Sequence, residues 1–112
     1  MLDFYSNRQP TMPMALRGAD GQRIVLHICV PTVDLADKIR EILPALKEVA
    51  DGLTESTGPV YAVAAAVISR NLQGHTVTVD DLQAVHALSL DDLYKFYEEY
   101  VAFLRGVERA KN

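Results

Sequence analysis

His27 and Cys29 stand two residues apart in RIVLHICV, and on an extended strand that spacing puts both side chains on one face. A thiol beside an imidazole is the pairing that a nucleophilic cysteine uses. Such a cysteine also needs an activating environment and a base held in orientation. The simpler reading is a buried thiol next to a strand histidine, since unpaired cysteine ordinarily behaves as a small hydrophobe. His75 and His86 have neither metal-ligand spacing nor companion cysteines. The adjacent acids Asp80-Asp81 and Asp91-Asp92 would point in different directions on a helix, which suits helix N-termini better than paired acid–base work. Gly18–Gly21 lacks the lysine and the following helix of a phosphate loop. The residues therefore point away from an enzyme: no catalytic, cofactor-binding or metal-ligating residue is expected, and no cofactor or small-molecule substrate is implied.

The elements around these residues follow from periodicity. Asp20-Gly21 is a turn signal, because glycine supplies the positive φ of a tight reversal. After it Ile24, Leu26, Ile28 and Val30 alternate with Val25, His27 and Cys29, the period of a strand. The spacing predicts a β-hairpin over about Met14–Val30, ended by Pro31. Thr32 is the expected N-cap of a helix carrying Asp34 in its first turn. Val33, Leu35, Ala36, Ile39, Ile42, Leu43, Leu46 and Val49 keep helical spacing up to Gly52, and Pro44 inside the segment predicts a kink or two short helices. Pro59 opens the next helix, in which Val60–Ile68 are all apolar, as a helix buried on most sides requires. Thr78 with Asp81, and Ser89 with Asp92, match the capping pattern of a hydroxyl and an acid three residues on. They predict a short helix at about Val79–Ala87 and a long one from Leu90 to near Arg109. The fold class is α+β, mostly α: an N-terminal β-hairpin followed by about four helices, the last long and amphipathic. Residues 1–11 read as a polar, flexible lead, and residues 12–112 as a single domain.

The last helix holds most of the aromatic residues. SLDDLYKFYEEYVAFL contains Tyr94, Phe96, Tyr97, Tyr100 and Phe103, in a chain with five tyrosines, three phenylalanines and no tryptophan. On a wheel its apolar residues span about half the circumference, which is wider than one packing contact needs. Leu93, Tyr97, Val101 and Leu104 form the seam expected against the domain's own core. Phe96, Tyr100, Phe103 and Val107 form a second stripe along one edge. That stripe either packs inside the domain or meets a partner chain, to which aromatic side chains bring large contact area.

Composition narrows the partners. Of 112 residues 49% are apolar, enough for a core, and the formal net charge is −4. The eleven lysines and arginines form no basic stripe, which argues against nucleic acid, whose binding rests on phosphate neutralisation. The stretch VTVDDLQAVHALSLDDLYKFYEEY could pass for a helix-turn-helix, but its second helix would offer acids and buried aromatics where a DNA reader needs polar and basic tips. One cysteine suits a reducing compartment. No apolar run approaches a membrane span, and the first residues do not read as a secretion signal. A cytoplasmic protein with no membrane partner is expected.

With these segments in view, the chain resembles the phage tail assembly chaperones, small cytoplasmic proteins of long-tailed phages and prophages. The resemblance lies in Ala19–Gly21 with Val30–Thr32, in AAAVISRNLQG (Ala64–Gly74), in VTVDDL (Val77–Leu82) and in DDLYKFYEEYVAFL. It covers most of the chain beyond residue 11 and is a hydrophobic pattern with few polar anchors. It implies a protein that binds the tape-measure protein, a very long helical chain with exposed apolar stripes, and keeps it soluble until the tail tube assembles. It implies no enzymatic activity, no cofactor, self-association, and absence from the finished particle. No contact residues carry over, so Phe96, Tyr100, Phe103 and Val107 stand as partner-binding residues on the wheel alone. The alternatives are a structural or adaptor protein of a phage particle and a small helix-turn-helix regulator.

Overall fold

Alternation builds the first element. In the computed structural model, which describes residues 10–50 and 57–111, β1 (Met12–Arg17) pairs antiparallel with β2 (Arg23–Ile28) in a register running from Met12 opposite Ile28 to Arg17 opposite Arg23. Leu16, Leu26 and Ile28 point into the core, while Ala15, Arg17, Arg23 and Val25 face out. The reversal is closed by two backbone bonds, from the Gly18 N–H to the Gln22 carbonyl (2.7 Å) and from the Gly21 N–H to the Gly18 carbonyl (3.0 Å). Gly21 sits at φ +81°, in the left-handed region where a Cβ is penalised. The Asp20 carboxylate accepts from the Gln22 N–H at 3.0 Å. β1 starts two residues before the predicted Met14. Pro13 fits there because β1 is an edge strand, where a missing N–H costs no ladder bond.

The helices pack on one another and share a core with the inward side chains of the hairpin. α1 (Val33–Ala50) begins where Thr32 Oγ1 accepts the Leu35 N–H at 3.2 Å. It buries Leu35, Ile39, Ile42 and Leu46 at helical spacing. Pro44 does not divide the segment into two short helices: one helix runs through it. Pro44 and Arg40 both lie on the exposed side, so the Arg40 carbonyl that loses its N–H partner remains within reach of water. The predicted stop at Gly52 lies outside the described residues. α2 (Gly58–Ile68) is the central helix; from Val60 on, only Ala62 and Ala66 are exposed. Pro59 occupies its first turn, where a proline removes no helical hydrogen bond.

After α2 the chain turns and adds a partial third rung to β2. The Cys29 N–H donates to the Arg70 carbonyl (2.7 Å), and the Leu72 N–H donates to the His27 carbonyl (3.0 Å). The predicted helix at Val79–Ala87 is helical from Val79 but widens into a π-helical turn at Asp81–Val85. There the His86 N–H reaches back five residues to the Asp81 carbonyl at 2.8 Å. Ala87 then takes φ 52°, a left-handed conformation uncommon for a residue with a side chain. The widened turn aims the buried His86 ring at the hairpin, where its Nδ1–H donates to the Arg17 carbonyl at 2.7 Å. α3 (Leu90–Lys111) closes the domain. Both predicted capping boxes form: Asp81 accepts from the Thr78 N–H (3.0 Å) and Asp92 from the Ser89 N–H (2.9 Å), while each hydroxyl oxygen accepts the backbone N–H of its aspartate. These backbone and hydroxyl donors hold both carboxyls below the ordinary aspartate range. The fold is α+β and mostly α, a hairpin followed by four helical segments, the last long.

Candidate functional site

α1 and α3 leave an apolar trough between them. Two hollows, of about 440 and 260 Å³, meet there and share Leu43, Val101 and Arg105. Buried Ile39, Leu46 and Tyr97, with half-buried Leu43, Val101 and Leu104, form its floor. The rims carry exposed Arg40 and Lys47 from α1, and Tyr94, Glu98, Arg105 and Glu108 from α3. α2, rich in alanine and valine, contacts both long helices, which also contact each other. A concave, mostly apolar surface with charged rims suits a row of apolar side chains better than a reacting group.

The aromatic stripe lies elsewhere. Phe96 is 6% exposed and Tyr100 0%, so the expectation that this stripe stands as a free edge is corrected for these two residues. The hairpin and the chain after β2 cover them: the Tyr100 hydroxyl donates to the Cys29 carbonyl at 2.8 Å, and Met12–Met14 flank Phe96. Phe96 and Tyr100 stack at 5.8 Å between centroids, and Phe103 continues the series at 5.9 Å from Tyr100. Phe103 and Val107 remain half-buried. The seam divides as well. Leu93 and Tyr97 are buried, the Tyr97 hydroxyl donating to the Val60 carbonyl at 2.6 Å, whereas Val101 and Leu104 open into the trough. The half-circle of apolar residues is thus covered by the hairpin on one side and α2 at the centre. It is left open on the side facing α1. Burial pushes the phenols of Tyr97 and Tyr100 well above the ordinary tyrosine value.

The residues with chemical potential are engaged structurally. Gln73 Oε1 accepts from the His27 backbone N–H (2.8 Å), which identifies its other amide atom as the nitrogen, and that nitrogen donates to His27 Nδ1 at 2.9 Å. The imidazole lone pair facing the turn is therefore occupied. Cys29 is half-buried, with its backbone tied to Arg70 and Tyr100. Among the described residues no group of three or more His, Cys, Asp or Glu side chains is arranged to hold a metal. No helix among them is long and apolar enough to cross a membrane.

Four polar residues escaped sequence reasoning. Arg70 donates twice to the Val30 carbonyl (3.2 and 3.1 Å). Asn71 donates to the Ile68 and His75 carbonyls (2.7 Å each) and accepts the His75 N–H at 2.9 Å. Ser69 exchanges two 2.9 Å bonds with Val77, and Gln73 clamps His27. Sequence reading takes Ser69-Arg70-Asn71 with Gly74 only as a helix stop. Three consecutive polar side chains at the end of an all-apolar helix were the available signal for a built turn.

No protein-family model matches this chain, and neither a curated protein nor a solved structure matches it.

Proposed function

We propose that this chain is a tail assembly chaperone of a long-tailed phage or prophage, which binds the tape-measure protein and keeps it soluble during tail assembly. The observation that carries the reading is the open apolar trough between α1 and α3, in which Leu43, Val101 and Leu104 remain half-buried. A client helix with apolar residues at i, i+3, i+4 and i+7 would complete their burial. Each large apolar side chain taken fully from water contributes roughly 1.5–3 kcal/mol before the cost of association. One trough therefore binds modestly, and several copies along one long client hold it by avidity. The extended resemblance in the aromatic and alanine-rich segments names the client. On this reading the chain works without catalysis, cofactor or small-molecule substrate. It acts in the host cytoplasm, self-associates along its client, and is absent from the mature virion.

Co-expression with a candidate tape-measure protein is the test. The expected result is a client that moves from the insoluble to the soluble fraction and co-purifies with this chain. A client that stays insoluble, or that dissolves equally well alone, would end the proposal. Recovery of the chain in purified particles would favour a structural or adaptor role instead.

A further inference from the structure

The charges around the trough are asymmetric. α1 contributes two cations to the rim, Arg40 and Lys47, while α3 contributes Glu98, Arg105 and Glu108. Arg40 and Lys47 are seven residues apart, so they share one face of α1 about two turns, or roughly 10.5 Å, apart along its axis. Arg40 reaches Asp37 at 2.9 Å, but the two side chains are 68% and 58% exposed. Such a pair contributes little and leaves most of the guanidinium donors open. Among the described residues neither Lys47 nor Arg105 has an ion-pair partner. This cationic rim runs against the net charge of −4 carried by the whole chain.

Resting on the docking reading above, the geometry points to a client helix whose flank facing α1 carries carboxylates two turns apart, opposite Arg40 and Lys47. The apolar stripe of that helix enters between the rims, over Ile39, Leu43 and Val101. Its other flank meets Glu98, Arg105 and Glu108, an alternating edge that accepts neutral or mixed residues. A phosphate backbone does not fit the same surface. It would leave the apolar floor unfilled and meet two acids on the α3 rim. The rim charges thus set which face and which rotation of an amphipathic helix is accepted, and the apolar floor supplies the affinity.

Two fluorescein-labelled synthetic helical peptides test this on the full chain. They share one leucine stripe; one carries glutamates two turns apart along a single flank, and the other carries lysines at those positions. In low salt the glutamate peptide is expected to bind roughly tenfold tighter by fluorescence anisotropy, and the gap is expected to narrow as salt is added. The double variant Arg40→Glu, Lys47→Glu alters only exposed side chains, keeps its circular dichroism spectrum, and reverses the order. Equal binding of both peptides, or preference for the lysine peptide, overturns the charge inference and leaves helix docking standing. Binding of neither peptide overturns both.

Discussion

The Tyr100 hydroxyl donates to the carbonyl of Cys29 at 2.8 Å, joining the middle of α3 to the chain just past β2. The ring above that bond is fully buried and stacked on Phe96. A residue whose helical position suggested a binding edge is therefore the pin between helix and hairpin. Tyr100→Phe keeps the ring and removes only the donor, leaving the Cys29 carbonyl without this partner. The expected cost is about 1–2 kcal/mol in urea denaturation, against about 3–5 kcal/mol for Tyr100→Ala. Equal losses for the two variants would mean that packing carries nothing here.

The two buried phenols set an alkaline limit. Tyr97 and Tyr100 are neutral acids whose ionisation is held back in the fold by burial, so their folded values lie above the unfolded one. Their contribution is fully present below the unfolded value, near pH 10, and is lost as pH rises toward the folded values. Ultraviolet difference titration should show Tyr97 and Tyr100 ionising only together with loss of helical signal. Ionisation of both phenols near pH 10 in a still-folded chain would contradict this burial.

The two capping boxes set the acid side. Asp81 and Asp92 are depressed by hydrogen bonds from Thr78 and Ser89, so their contribution is present above the unfolded aspartate value and lost as pH falls below it. The thermal midpoint should therefore drop on acidification below about pH 4, and Asp81→Asn with Asp92→Asn should flatten that drop. Removing the reciprocal hydroxyl with Ser89→Ala is expected to cost about 1 kcal/mol at neutral pH, read as a lowered urea midpoint.

Local signals were legible where one short-range rule dominates. The hairpin, both capping boxes and the buried alanine-rich helix each follow from spacing within a few residues, and each stands close to its predicted place. The π-helical turn was not legible, because Asp81–Val85 reads as ordinary helix. The widening answers a distant demand, the reach of His86 to the Arg17 carbonyl. α1 passing through Pro44 depends on which side of the helix meets water. The division of α3 into covered and open faces was hidden for the same reason. A wheel shows that half the circumference is apolar, but only the placement of the hairpin and α2 decides that Phe96 and Tyr100 are sealed while Val101 and Leu104 are not.

Asn71 tests the turn that periodicity missed. Its amide nitrogen serves two carbonyls and its oxygen one N–H, which uses both donors and an acceptor within a few residues. Asn71→Asp has nearly the same shape but turns two attractive contacts into a carboxylate facing the Ile68 and His75 carbonyls. The expected loss is about 2–4 kcal/mol, larger than for Asn71→Ala, because a half-buried carboxylate facing two acceptors costs more than a missing bond. Thermal unfolding of the two variants gives the order directly. A milder effect for aspartate would show that the side chain turns to water.

Paired substitutions on α3 separate the covered face from the open one. Phe96→Glu puts a carboxylate where the ring now packs on Tyr97 and Tyr100, at 5.3 and 5.8 Å between centroids. Among the described residues lining the hollow beside Phe96, Lys95 is the one cation, and it is exposed. Unfolding, or a loss above about 3 kcal/mol, is expected. Val101→Glu changes a half-exposed position on the trough floor, with Arg105 one turn on and already lining the same hollow. Stability should move by less than about 1 kcal/mol, while binding of a leucine-striped helical peptide should fall at least tenfold. If instead Val101→Glu unfolds the chain, the trough is a seam of the core that the fold needs closed. If it leaves peptide binding intact, the docking surface lies elsewhere, and half-exposed Phe103 and Val107 become the next positions to substitute.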